Sequence, residues 1–244
     1  MMHTLTVFAR AAFICALGVV GQAQGAEPAK APAAKVAAQT SVAAPYKLVE
    51  DTTQQVLAIV QRTQKAQHKD MAAFNAEVTA VMDKVIDFDG FARGVMGQYV
   101  SAQRYKALKT DAERAAFNER IERFSRTFKQ DLINTYAKSL LKFSGEKIET
   151  LPPKKGDDPS AGTATVMQTI YGAMEKRYAV QYSMRRSAAG EWKLLNVIVE
   201  GINLGQSYRN QFAESAERNH EDLEKVIADW RVSPNASESE ADPK

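Results

Sequence analysis

Apolar residues recur along this chain first with a helical period and then with a strand period. Val49, Val56, Ile59 and Val60 mark one face of a helix that starts near Pro45, a residue suited to a first helical turn. Phe74, Val78, Val81 and Val85 mark a second helix. The Asp87-Phe88-Asp89-Gly90 stretch reads as a break and a fresh helix start, followed by Phe91, Ala92, Val95, Met96 and Tyr99. Thr110-Asp111-Ala112-Glu113 fits a capping box, with Thr110 reaching a backbone amide and Glu113 reaching back. The helix it opens is the longest, carrying Phe117, Ile121, Phe124, Phe128, Leu132, Tyr136 and Leu140. Its opposite face holds Glu119, Arg120, Arg123, Arg126 and Lys129, and Gly145 ends it.

The period then drops to two. Glu146–Leu151 and Thr163–Tyr171 read as strands, separated by Pro152-Pro153 and a polar turn region. Tyr178, Val180, Tyr182 and Met184 alternate with smaller or polar residues in a third strand. A turn at Ser187–Gly190 leads to a fourth, Trp192–Val199, apolar on both faces. Strict alternation puts Trp192, Leu194 and Ile198 on one face and Leu195, Val197 and Val199 on the other. After Gly201 the chain re-enters a helix with Leu204, Tyr208 and Phe212 four apart. Asn219 is placed to cap a last helix carrying Leu223, Val226, Ile227 and Trp230. Helices first and antiparallel strands later is an α+β order, here one folded domain over residues 45–232. The strand hairpin and its helix read as the floor of a cavity walled by the upstream helices.

The ends read differently. Arg10, the apolar run Ala11–Val20 and the small residues around Gln22 fit a secretory signal peptide over residues 1–23. The only cysteine, Cys15, lies in it, so a mature chain has no disulfide and no thiolate chemistry. Residues 24–44 are rich in Ala, Pro and Lys and read as a flexible leader. Residues 233–244 read as a disordered tail. This implies export, to a bacterial periplasm.

Composition narrows the chemistry. The 32 basic and 29 acidic residues are interspersed and leave a net charge of +3, which gives no footprint for nucleic acid. No Gly-rich phosphate loop, zinc motif or nucleophile elbow occurs. In the mature chain only His68 and His220 remain, both in polar surroundings typical of the surface. Asp87 and Asp89 are close enough to consider as a general acid/base pair, although helix capping explains them more simply. Arg93, Arg104, Arg185 and Arg186 are candidates for meeting an acidic partner or a lipid headgroup, or are ordinary solvated charge.

A composite pattern in the C-terminal half closely resembles the MlaC family, the periplasmic auxiliary proteins of the toluene-tolerance ABC transport system. It comprises Val180–Met184, Gly190–Lys193 (GEWK), Asn196–Leu204 (NVIVEGINL) and Tyr208–Phe212 (YRNQF). Leu132–Gly145 and Asp87–Tyr99 extend it upstream, so that it spans Pro45 to Trp230. Asn196 and Asn203 stand where many relatives carry Asp and Ser.

The resemblance implies a curved, mainly antiparallel four-stranded sheet wrapped by helices, a cone like that of nuclear transport factor, opened into a deep apolar cavity. It also implies a monomeric phospholipid carrier working between an outer-membrane MlaA–porin complex and an inner-membrane ABC transporter. That activity maintains outer-membrane asymmetry, with phospholipid as cargo and no other cofactor. The energetics fit: at roughly 0.8 kcal/mol per exposed methylene, a diacyl lipid with about 30 of them faces on the order of 20 kcal/mol in free solution. A carrier must enclose the tails in a pocket at or above the usual range of about 300–1,000 Å³. Wall candidates from helices are Val81, Val85, Phe88, Phe91, Met96, Phe124, Phe128, Leu132 and Tyr136. Candidates from strands are Val166, Tyr178, Val180, Tyr182, Met184, Leu194 and Ile198. Two other readings stay open: a binder of another apolar ligand, such as a hopanoid or a solvent, and an enzyme on the same cone using Asp87 or Asp89.

Overall fold

The structure, a computed structural model, describes residues 43–143, 147–154, 157–172 and 176–232. The signal-peptide segment, nearly all of the leader, and the tail lie outside the described residues, as does the Ser144-Gly145 stop.

Helix α1 (Ala44–Lys65) begins with Pro45 in its first turn and buries Val49, Val56, Leu57 and Val60. Helix α2 (Met71–Val85) is capped by Asp70, whose carboxylate accepts from the amides of Ala72 and Ala73. Helix α3 (Phe88–Met96) is capped by Asp87, which accepts from the Gly90 amide at 2.8 Å. A β-carbon at position 90 would collide with that carboxylate, which accounts for the glycine. A 3₁₀ turn (Gly97–Val100) and the short helix α4 (Ala102–Ala107) lead to α5 (Asp111–Leu140). The capping box of Thr110 and Glu113 opens α5 as expected, and at 1.5 Å per residue its 30 residues span about 45 Å.

The sheet is an antiparallel meander in sequence order: β1 (Ile148–Thr150), β2 (Thr163–Tyr171), β3 (Arg177–Arg186), β4 (Trp192–Val199) and β5 (Ile202–Asn203). It therefore has five strands where the sequence pattern predicts four. The fifth is a two-residue return after the positive-φ pair Glu200 and Gly201, too short to leave a periodic signal. Beyond it, α6 (Leu204–Arg218) starts on Asn203 and α7 (Leu223–Ala228) on Asp222. Asn219 thus ends α6 instead of opening α7; its amide and side chain both donate to the Ser215 carbonyl. Asn196 Nδ2 donates to Asn203 Oδ1 at 2.9 Å; the same Asn203 oxygen accepts the Gln206 amide, and Asn196 Oδ1 accepts the Gly205 amide. Together they close the N-terminus of α6 onto β4.

A β-bulge sets which residues of β4 face the helices. Ser183 pairs with Asn196, but Met184 pairs with Leu194, so Leu195 is an extra residue. The side-chain phase flips across it. Trp192 and Leu194 are buried, and so are Val197 and Val199, while Ile198 turns to the opposite face. The strict alternation predicted for this strand is thereby corrected, and Val197 takes the place expected of Ile198. The bulge sits where the α2–α3 junction meets the sheet. Ile86 forms an isolated parallel bridge with Leu194, whose carbonyl accepts the Asp87 amide at 3.3 Å.

The buried apolar residues form one continuous core. At one end of it Phe124 packs edge-on against Phe212 (5.0 Å between ring centres) and Trp230 (5.2 Å), joining α5, α6 and the C-terminal segment. Phe128, one turn along α5, stacks on Phe124 at 5.8 Å and continues the core toward the inner side of the sheet.

Candidate functional site

On the side facing the sheet, this core contains a cavity of about 70 Å³. Val85 and Phe88 reach it from either side of the α2–α3 junction, and Phe91 one turn further along α3. Phe128, Leu132 and Tyr136 line it from three successive turns of α5. Tyr182 and Met184 come from β3 and Leu194 from β4. These are nine of the sixteen wall candidates from the sequence, brought together from three helices and two strands.

The other seven lie elsewhere. Phe124 sits in the aromatic end of the core, stacked on the lining residue Phe128 but outside the lining itself. Val81 and Met96 are buried in the helical core but outside the lining. Val166 and Val180 are both fully buried on the inner face of the sheet, and Tyr178, further along β3, is half-buried. Ile198 is turned away by the bulge.

Seven lining residues had not been singled out: Val49, Thr52, Met82, Ile86, Val197, Leu204 and Tyr208. Met82 stands four after Val78 and three before Val85, so helical spacing carried a signal for it. Leu204 and Tyr208 stand on the predicted C-terminal stripe. Ile86 had no readable signal, because it sits in a helix break, and Val197 was read on the face opposite Leu194 because the bulge that reverses the phase leaves no mark in the sequence.

The lining makes no polar demand. Each of its four hydroxyls already has a protein partner. Thr52 donates to the Leu48 carbonyl at 2.7 Å, and Tyr182 donates to Gln168 Oε1 at 3.1 Å. Gln168 in turn donates to Thr53 and Thr150, so this buried network is closed. Tyr136 and Tyr208 share a hydrogen bond of 2.8 Å between their hydroxyls. Burial pushes both phenols above their ordinary range, so the wall carries no phenolate charge at neutral pH. What the cavity offers a ligand is dispersion contact and exclusion from water.

Its volume falls well below the range of about 300–1,000 Å³ usual for ligand pockets, which corrects the expectation of a large open cavity. The walls contain side chains able to repack: Met82, Met184, Leu132 and Leu194. Ile86, Phe91, Leu132 and Leu204 are half-buried, placing the accessible side of the cavity among them.

Asp87 and Asp89 do not line this cavity. Asp87 is occupied in capping α3, and Asp89 accepts from the Ser125 hydroxyl at 2.6 Å. Both face a neighbouring polar groove of about 510 Å³, which shares Ile86 and Phe88 with the apolar cavity. His68 and His220 are exposed. No group of three or more potential metal ligands occurs among the described residues, and none of their helices is long and apolar enough to cross a membrane. Three of the four arginines considered earlier have partners. Arg104 pairs with Glu221, Arg185 lies 4.0 Å from Asp87, and Arg186 donates to the Pro159 carbonyl; Arg93 is exposed.

Comparison with known proteins agrees with this architecture. The family model described as MlaC protein matches residues 50–232. The toluene tolerance protein ttg2D of Pseudomonas putida is 33% identical over 199 residues, covering 82% of this chain and 83% of that protein. A solved phospholipid-binding protein from Ralstonia solanacearum, in complex with a phospholipid, shares the fold with a TM-score of 0.57. It is 20% identical and is matched over 75% of this chain and 96% of its own. With the family model covering nearly all of the folded region, this chain belongs to the MlaC family.

Proposed function

We propose that this protein is a periplasmic phospholipid carrier. It holds the acyl chains of its cargo in the cavity between the sheet, α1, α2, α3, α5 and α6, and moves lipid between an outer-membrane complex and an inner-membrane ABC transporter. The observation that carries the reading is the closed hydrogen bonding of the lining: four hydroxyls, each with a protein partner, in an otherwise apolar wall. Such a wall accepts hydrocarbon and penalises any polar group left unpaired inside it. Membership of the MlaC family and the phospholipid held by the Ralstonia solanacearum protein support the same reading.

The cavity's small volume gives the mechanism its shape. Loading requires the walls to part, and flexible acyl chains can enter progressively as methionine and leucine side chains repack. A rigid polycyclic ligand would need the full slot at once, which favours acyl chains over a hopanoid. Catalysis by Asp87 or Asp89 finds less support, since both carboxylates are committed to local hydrogen bonds outside the cavity.

The test is extraction of a fluorescent phospholipid from vesicles. The purified protein should take up lipid in solution and deliver it to acceptor vesicles. A Leu132→Trp variant, which fills the cavity from α5, should retain the fold and extract much less. Equal extraction by both would contradict this assignment of the cavity.

A further inference from the structure

The polar groove beside the cavity carries charges of both signs. Its cations are Arg126 and Lys129 from α5 and Lys193 from β4. Its carboxylates are Asp83 from α2, Asp87 and Asp89 at the start of α3, and Glu191 before β4. They alternate in space as partners: Lys129 donates to Asp83 at 2.6 Å, and Lys193 lies 3.1 Å from Glu191. Arg126 is exposed, and Arg185 approaches Asp87 from beside the groove at 4.0 Å. The groove and the cavity meet at Ile86 and Phe88, whose side chains line both. A polar space of about 510 Å³ thus adjoins an apolar one across a shared two-residue rim.

We propose that this groove is the headgroup site and that it selects a zwitterionic, ammonium-bearing phosphodiester over a purely anionic headgroup. The proposal rests on the carrier reading. A phosphate entering here meets Arg126, Lys129 and Lys193, while an ammonium tethered to it meets Asp87, Asp89 and Glu191. A headgroup with a phosphate and no amine draws Lys129 and Lys193 from Asp83 and Glu191 and leaves those carboxylates without their partners beside it, whereas a tethered ammonium restores the balance. Because the groove is open to water, the preference is modest and weakens as salt screens it.

The experiment is a competition. The protein is incubated with vesicles holding equal amounts of phosphatidylethanolamine and phosphatidylglycerol with identical acyl chains, and the bound lipid is quantified by mass spectrometry. Phosphatidylethanolamine should be bound in about threefold excess in dilute buffer. That excess should shrink toward parity in the double variant Asp87→Asn, Glu191→Gln, in which Asn preserves the cap on α3. Parity or a phosphatidylglycerol preference in the unmodified protein would overturn the headgroup assignment and leave the carrier reading standing. Failure to take up either lipid would instead remove the carrier reading and this inference with it. Should the double variant not fold, the unmodified protein's ratio at low and high salt decides the matter alone.

Discussion

Tyr136 on α5 and Tyr208 on α6 join hydroxyl to hydroxyl at 2.8 Å inside an apolar wall. The bond ties together two helices that the cavity would otherwise separate, and it hides both polar tips from the ligand. Single replacements, Tyr136→Phe and Tyr208→Phe, should each cost about 1–3 kcal/mol, since a buried hydroxyl loses its partner. The double replacement should cost less than their sum, with a coupling of about 0.5–3 kcal/mol. Denaturant unfolding of the four proteins measures this directly, and strict additivity would mean that the bond contributes nothing.

Two apolar positions about two turns apart on α5, Phe124 and Leu132, should behave differently. Phe124 is locked among Phe212 and Trp230 with no exposure, so Phe124→Ala should destabilise the fold by about 3–5 kcal/mol. Leu132 is half-buried at the cavity, so Leu132→Trp should cost no more than about 1–3 kcal/mol while reducing lipid uptake. Thermal unfolding and lipid loading, measured on both variants, separate core from cavity.

The fold was largely legible in the sequence because its signals are local. Thr110 and Glu113 announce the start of α5, and alternation in Tyr178–Met184 announces β3 and its buried face. The cavity was only partly legible. Phe124 and Phe128 share one helical stripe and stack on each other, and the stripe says "inside" without saying which ring reaches a cavity; that depends on how α3, α6 and Trp230 pack around them. The β4 face was misread because a single extra residue, Leu195, reverses the phase, and nothing in WKLLNVIV marks it. Leu204 and Tyr208 were on the page as a stripe, but their role depends on where α6 lands.

A consequence of the bulge concerns Val180. On sequence it reads as a lining residue whose replacement by Glu would block loading and spare the fold. It is fully buried, away from the lining and paired in register with Gln168 and Val199. Val180→Glu should therefore unfold the protein, through an uncompensated buried carboxylate. Circular dichroism would show it, and a folded variant with normal stability would contradict this packing.

Acid should loosen one specific connection. Tyr46 on α1 donates to Asp157, between β1 and β2, at 2.6 Å, and the Lys154 amide donates to the same carboxylate at 2.7 Å. These bonds hold Asp157 below its ordinary value of 3.8. Burial, followed by Asp157 itself, raises the Tyr46 phenol above its ordinary 10.0. A depressed carboxyl contributes stability above its unfolded value and loses it as pH falls through the folded one. A raised phenol contributes below its unfolded value and loses it as pH rises. Tyr46→Phe should thus lower Tm between these limits, and the gap to the unmodified protein should narrow below about pH 3.8, where the hydroxyl keeps only the Thr165 carbonyl, 3.2 Å away. A gap of unchanged size in acid would mean that the carboxylate plays no part.

The central claim, that this chain encloses lipid tails, is tested most directly by native mass spectrometry of the protein purified without detergent from the cells that make it, followed by identification of extracted lipid. A stoichiometric mass increment assigned to phospholipid is the expected result, and its acyl chains would be counted in the same experiment. A uniformly empty protein that also takes up no phospholipid from vesicles would contradict the account.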